Sequence, residues 1–183
     1  TRTDALCKEL GRNVGQDRFR RETGLPLASY FAGPKIRWLL DNVEGARRRA
    51  EAGELAFGTI DSYLAYRLSG GKAHVTDVTN ASRTLLFDIH KLAWDPELLR
   101  LLGIPAALLP EVRGSSEVVG RTLGFGPLPD GVPIAGMAGD QHAALFGQTC
   151  FQVGDAKCTY GTGAFLLVNI GREPVPSKHG LLT

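Results

Sequence analysis

The sequence predicts an α/β fold in two parts, and three observations carry that expectation. An apolar, strand-like run leads directly into a helical pattern twice, at 55–68 and at 134–147, an order that belongs to layered α/β folds rather than to helical bundles. Lys157 to Tyr160 and Ala164 to Ile170 then read as two strands turned back on each other by Gly161-Thr162-Gly163. Between these regions, Gly124 to Pro133 holds three Gly and three Pro in ten residues, the composition of a crossing from one domain to the next. With 183 residues, 43% of them hydrophobic, the chain can bury a substantial core, in one domain or two small ones.

In chain order, Asp4 to Leu10 reads as the tail of a helix stopped near Gly11, with Thr1 already inside it. A second short helix runs from Asp17 to Thr23 and stops at Gly24, before the loop Leu25 to Phe31. Tyr30 and Phe31 precede Gly33-Pro34 at a helix start, where aromatics serve as a hydrophobic staple or core filler. Ile36, Leu39, Leu40 and Val43 recur at helical spacing with Trp38 on the flank, and Val43 to Ala52 continues as a charged helix ended by Gly53. The basic run Arg47 to Arg49 falls beside Glu44 and Glu51 and makes a salt-bridged, solvated face.

Leu55 to Ile60 is predicted as a short buried strand. Asp61 then caps a helix over Ser62 to Leu68 whose apolar side is Tyr63, Leu64 and Leu68. His74 to Asp88 is the densest polar stretch, and hydroxyl and Asx side chains at that density satisfy loop backbone groups; Arg83 is placed to pair with Asp77 or Asp88. His74 and His90 lack partners at metal-ligand spacing. Asp95-Pro96 starts a helix over Glu97 to Leu102, Ala106 to Leu109 makes a further turn, and Val118 to Thr122 resumes extended structure.

Charge and cysteine usage narrow the function classes. A formal +2 from 21 Lys and Arg against 19 Asp and Glu offers no footprint for nucleic acid or a membrane surface. Cys7, Cys150 and Cys158 have no metal-binding spacing and leave one thiol over in any disulfide scheme, which reads as reduced and cytoplasmic. No signal peptide, membrane-spanning run or repeat is visible, and the absence of an initiating Met reads as a piece of a longer protein.

The chemistry concentrates in 136–165. Gly136 and Gly139 let the backbone approach something small and aim Asp140 out of the strand end, while Gln141 to Gln148 forms a helix packing Ala143, Ala144, Leu145 and Phe146 inward. Glycines on both sides of Thr162 leave amide groups uncovered beside a hydroxyl, an arrangement suited to phosphate oxygens. Taken singly, the acid is a turn former or helix cap and the Gly-Thr-Gly a tight hairpin turn; an acid and a phosphate hairpin together suggest phosphoryl transfer.

The wording AGDQ, ALFGQ and TYGTG, with YFAGPKIRWLLDNVEGAR, GELAFGTIDSYL, HVTDVTNASRTLLFDIH and LLPEVRGSSEVVG upstream and GLLT downstream, resembles the FGGY carbohydrate kinases over nearly the whole chain. TNASRT, GDQ and TYGTG resemble in particular the members that phosphorylate glycerol; Ala32 departs from the small hydroxylic residue many members carry there. The resemblance implies an actin-like, ribonuclease-H-like two-domain kinase fold with ATP and substrate in the cleft. Residues 1–131 would form the later part of the amino-terminal domain and 132–183 the start of the carboxy-terminal one. The family's first phosphate hairpin and an Arg-Glu pair and tryptophan for glycerol are expected upstream, the adenine site downstream.

By the same resemblance, Asp140 is the general base that also holds the substrate hydroxyl in line. Gln141 hydrogen-bonds glycerol, Phe165 walls its carbon chain, and Tyr30 contributes its hydroxyl from the other domain. Gly161, Thr162 and Gly163 meet the β- and γ-phosphates of ATP, and Mg2+ arrives with ATP, held through phosphates and water with no protein ligand assigned. The reaction implied is ATP-dependent phosphorylation of glycerol to sn-glycerol 3-phosphate by a cytoplasmic enzyme, without nucleic-acid or membrane partners and with self-association left open. The alternatives are another polyol or ketose kinase of the family, such as one for xylulose, and a non-catalytic actin-like nucleotide-binding protein.

Overall fold

The computed structural model describes residues 2–183, so the placing of Thr1 in a helix lies outside the described residues. The first helix, α1 (Asp4–Leu10), ends at Gly11, and α2 (Arg20–Thr23) ends at a left-handed Gly24. The second is shorter than the sequence suggests, because Asp17 accepts from Arg20 Nε at 2.6 Å ahead of the helix. Next come α3 (Ala32–Asn42) and α4 (Ala46–Glu51), separated by an extended Val43 and a left-handed Gly45, so the charged helix starts later than predicted.

Asp41 joins these two helices by pairing with Arg37 and Arg47. Burial alone would raise its carboxyl, but the hydrogen bonds from the two guanidinium groups hold it below the usual range. Arg47 also donates to Gly103 O at 2.8 Å, and Arg49 pairs with Glu54 at 3.2 Å, so the basic run is held by Asp41 and Glu54 in place of the expected Glu44 and Glu51.

The strand expected at 55–60 does not form. Its backbone groups find other partners: Phe57 N–H donates to Leu108 O at 2.7 Å, and His74 Nε2 meets Phe57 O at 2.6 Å. Helix α5 (Ile60–Leu68) begins after Thr59, and Asp61 does not cap it but accepts the Thr76 hydroxyl at 2.7 Å. The buried positions of α5 are Ser62 and Ala65, small enough to let the helix lie against the next strand, while Tyr63 and Leu64 are about half exposed.

That strand, β1 (Val75–Asp77), leads into α6 (Val78–Ala81), the antiparallel pair β2 (Phe87–Asp88) and β3 (Ala93–Trp94), α7 (Pro96–Leu102) and a 3-10 turn at Ala106–Leu108. The chain then returns as β4 (Glu111–Arg113), parallel to β1 with Asp77 opposite Arg113. This parallel return over helices is what makes the fold α/β.

Core side chains Ile36, Leu40, Leu86, Leu99 and Leu102 fill the space between α3 and α7, while Leu39 and Val43 stay half exposed. A second cluster, with Phe19, Leu25, Phe31 and Leu85, lies beside it.

Strands β5 (Gly120–Arg121) and β6 (Pro133–Ile134) pair antiparallel across the glycine-proline loop, which is stitched by Gly124 N–H to Asp130 Oδ1 and tied to α5 by Leu123 N–H to Leu68 O at 2.9 Å. Helix α8 (Asp140–Gly147) and the hairpin β7 (Ala156–Tyr160) with β8 (Ala164–Val168) complete the chain, and α8 packs on the hairpin. Against expectation, α8 buries no residue, and Phe146 is 72% exposed with its ring edge on Phe151. Among the described residues every buried hydrophobic side chain lies between Phe19 and Leu108. The last residues cross back to the first half, where Arg20 and Arg83 donate to main-chain oxygens of Leu181 and Thr183 at 3.1 Å. Arg83 therefore makes neither of the carboxylate pairs expected for it: Asp77 is filled by Thr79, Asn80 and Ser115, and Asp88 by His90 and Lys91. No helix among the described residues is long and apolar enough to cross a membrane.

Candidate active site

The segment expected to be a strand up to Asp140 is paired over two residues and then leaves the sheet. Residues 135–139 hydrogen-bond elsewhere instead: Met137 N–H donates to Ser115 O in a loop at 3.0 Å and Gly139 N–H to Thr79 Oγ1 in α6 at 2.8 Å. Asp140 is thus the first residue of α8, with Gly139 in the capping position. Its Oδ1 accepts the Gln141 N–H at 2.8 Å, its Oδ2 faces Gln141 Nε2 at 3.3 Å, and the carboxylate otherwise opens to solvent at the positive end of the helix.

Two neighbours that sequence reasoning passed over hold this corner. Lys157 is only 6% exposed, and its ammonium donates to Gln141 Oε1 and, at 2.8 Å, to Thr159 Oγ1. With its oxygen taken by Lys157, the Gln141 amide must present its NH2 group toward Asp140. A lysine at the inward register of a strand was the available signal. His142 is held toward the neutral imidazole, first by burial and then by the nearby positive charge of Arg83, against the pull of Asp77 and Asp140. A β-carbon on Gly139 would sit 3.1 Å from His142 Nδ1 and 3.6 Å from Thr79 Oγ1, so a side chain here would press on the His142 ring.

Thr162 stands exposed at the tip of the hairpin. Gly161 N–H is not free, since it donates to Gly163 O at 2.9 Å inside the turn. The Phe165 ring folds over Gly163, where an added β-carbon would lie 2.9 Å from Cε2. Phe165 is 42% exposed and stands opposite Thr159 in the ladder, two positions along β7 from Lys157.

Tyr30 lies in the other half of the molecule, 73% exposed, its ring edge against the buried Phe31 at 5.3 Å and the Lys35 ammonium 5.9 Å from its face. Of the two aromatics only Phe31 is a core filler, buried beside Phe19, Leu25 and Leu85. Burial lowers the Arg83 guanidinium, and its positive charge acts on His142. Asp140 and Gln141 at the start of α8 are joined to the hairpin through Lys157, which bonds Gln141 and Thr159, and Phe165 stands opposite Thr159. Among the described residues, no group of His, Cys, Asp and Glu is arranged to hold a metal ion.

The description of the FGGY family of carbohydrate kinases, N-terminal domain, matches residues 1–147. The chain belongs to the FGGY family of carbohydrate kinases. Glycerol kinase 1 of Streptomyces avermitilis is 63% identical over the whole of this chain, which covers 37% of that relative. A crystal structure of Plasmodium falciparum glycerol kinase with ADP matches all of this chain with TM-score 0.94 and 38% identity, over 36% of its own length. A xylulose kinase from Brucella ovis matches 91% of this chain with TM-score 0.77 and 26% identity, over 33% of its own. The chain therefore spans about a third of the length of these FGGY relatives, and its fold is a portion of their actin-like, ribonuclease-H-like two-domain architecture.

Proposed function

We propose that the chain is the central part of an ATP-dependent glycerol kinase, with residues 1–131 closing the first domain and 132–183 opening the second. The observation that carries this reading is the likeness of the whole chain to a glycerol kinase holding ADP, TM-score 0.94, against 0.77 for a xylulose kinase. The site supports it. Attack of a terminal hydroxyl on the γ-phosphate of ATP needs an acceptor for the hydroxyl proton, held in line, with charge stabilisation on the phosphoryl oxygens.

Asp140 takes the proton on a carboxylate oxygen; Gln141, locked by Lys157, fixes that carboxylate and offers its amide to a second hydroxyl. Phe165 supplies an apolar wall for the carbon chain, and Tyr30 supplies a hydroxyl from the opposite domain. Thr162 meets the β- and γ-phosphates through its hydroxyl and main chain, with Gly163 kept free of a side chain by the Phe165 ring above it. Mg2+ bound with ATP would supply neutralisation of phosphate charge, held through phosphate and water oxygens with no protein ligand assigned. A binding site on two domains favours closure over glycerol, which excludes water from the phosphoryl group. The enzyme would act in the cytoplasm on glycerol and ATP.

The test is Asp140→Asn in the full-length protein, assayed for glycerol phosphorylation. Asn keeps the shape and loses the proton acceptor, so kcat falls by about 10²–10⁴-fold while KM for glycerol changes less. A stable variant turning over within a few-fold of wild type removes Asp140 from the chemistry.

A further inference from the structure

Asp77 is fully buried, far from the sequence stretch that carries the chemistry, yet its two oxygens collect five donors. Oδ2 accepts from Thr79 N–H at 3.1 Å, Thr79 Oγ1 at 2.6 Å and Ser115 Oγ at 2.6 Å; Oδ1 accepts from Asn80 N–H at 3.1 Å and Asn80 Nδ2 at 2.7 Å. Capping the four-residue helix α6 uses only the two main-chain donors. The other bonds lead outward. Because the Thr79 hydroxyl gives its single proton to Asp77, its lone pairs face away from the carboxylate, and there they receive the Gly139 N–H at 2.8 Å. Ser115 gives its hydroxyl proton to the same Oδ2 and its carbonyl receives the Met137 N–H at 3.0 Å. The main chain entering α8 is thus hung at two points, Met137 and Gly139, from two residues whose hydroxyls converge on one carboxylate oxygen.

Among the described residues these are the only hydrogen bonds from 135–139 to the rest of the first half; Met137 also packs on Ala65, Ala73 and Val75, whereas Gly139 has no side chain to pack. Gly139 in turn sets the first turn of α8, since its carbonyl accepts from Ala143 N–H at 2.8 Å. A shift of Gly139 is therefore a shift of Asp140, the next residue.

We infer that Thr79, oriented by Asp77, is a positioning residue that aims the Asp140 carboxylate through the backbone of Gly139. This rests on the reading of Asp140 as the general base. Misplacement of a reacting group by about 1 Å costs up to about 100-fold in rate without abolishing binding, which sets the size of effect to look for.

The experiment uses the full-length protein and four variants: Thr79→Val, Thr79→Ser, Asp140→Asn and Thr79→Val with Asp140→Asn. Thr79→Val is close to isosteric, removes both the donor to Asp77 and the acceptor for Gly139, and lowers kcat by about 10–100-fold with KM for ATP little changed. Thr79→Ser, which keeps the hydroxyl, returns kcat to within a few-fold of wild type. In the Asp140→Asn background Thr79→Val produces no further loss, because a residue that acts only by aiming Asp140 has nothing left to aim. A normal kcat in Thr79→Val beside a slow Asp140→Asn overturns the inference alone, as does a double variant slowed by the product of the two single losses. An Asp140→Asn protein with wild-type turnover overturns the reading beneath it and the inference together. Should Thr79→Val fail to fold, Ser115→Ala removes one donor from Asp77 and is read the same way: a few-fold loss of kcat that vanishes in the Asp140→Asn background supports the inference, and an unchanged kcat or an additive loss overturns it.

Discussion

Thr162 has a hydroxyl that nothing in the hairpin needs for its own folding: the turn is closed by main-chain bonds and the side chain is exposed. Thr162→Ala should therefore leave the melting temperature of the full-length protein unchanged. It should cost a hydrogen bond to phosphate, worth about 1.5–3 kcal/mol with a charged partner, seen as a raised KM for ATP or a lowered kcat with KM for glycerol little moved. Steady-state kinetics in both substrates check this. His142 makes a different prediction. Its imidazole is disfavoured as the cation in the folded protein, first by burial and then by Arg83, whereas the unfolded chain takes up the proton at about pH 6.5. The unfolded state thus binds more protons below that pH, and stability falls as pH drops from about 6.5 through the lower folded value. Thermal unfolding of wild type and His142→Gln between pH 7.5 and 5 should show wild type losing more on acidification.

At the scale of elements, α7 is specified almost wholly by its own sequence. Asp95 accepts from Glu97 N–H at 2.8 Å and Leu98 N–H at 2.9 Å, Pro96 takes the first helical position, and Gly103 ends the helix in the left-handed region. Asp95→Ala should cost about 1 kcal/mol, since it orphans two amide groups at a nearly buried helix start. Chemical denaturation of the two proteins measures it, and an unchanged midpoint would show that packing of Leu98 and Leu102 alone holds the helix. The opposite case is 55–60, where the apolar run has strand propensity but no strand to pair with among the described residues; the Phe57 N–H went to a turn carbonyl and the Phe57 carbonyl to a histidine ring instead.

For the whole molecule, the asymmetry of burial is decisive. The first part has three packed clusters, whereas α8 and the hairpin leave Phe146, Tyr160 and Leu166 largely exposed, and α5 leaves Ile60 and Tyr63 uncovered. Apolar surface of that kind marks faces made to be covered. The 183-residue chain on its own is therefore expected to be inactive and to bind ATP more weakly than low micromolar, because on the proposed reading it carries only part of the site. Calorimetric titration with ATP checks it; low-micromolar affinity would contradict it.

Local signals were enough for the helices with their own caps, for the Gly161-Thr162-Gly163 hairpin and for the choice of an α/β fold, since capping, turn chemistry and strand alternation act over a few residues. They failed where the deciding partner was distant. The buried face of α5 was set by the approach of β1, the exposure of Leu39 and Phe146 by where neighbouring surface ends, and the partners of Arg83 by the crossing of the last residues. The same division runs through the site. Asp140 and Thr162 could be picked out as candidates from residue type and glycine spacing, and Gln141 from the family resemblance. The roles of Lys157, Thr79 and Asp77 appear only in three dimensions, because each acts through a hydrogen bond to a residue 16, 60 or, through Ser115, 38 positions away.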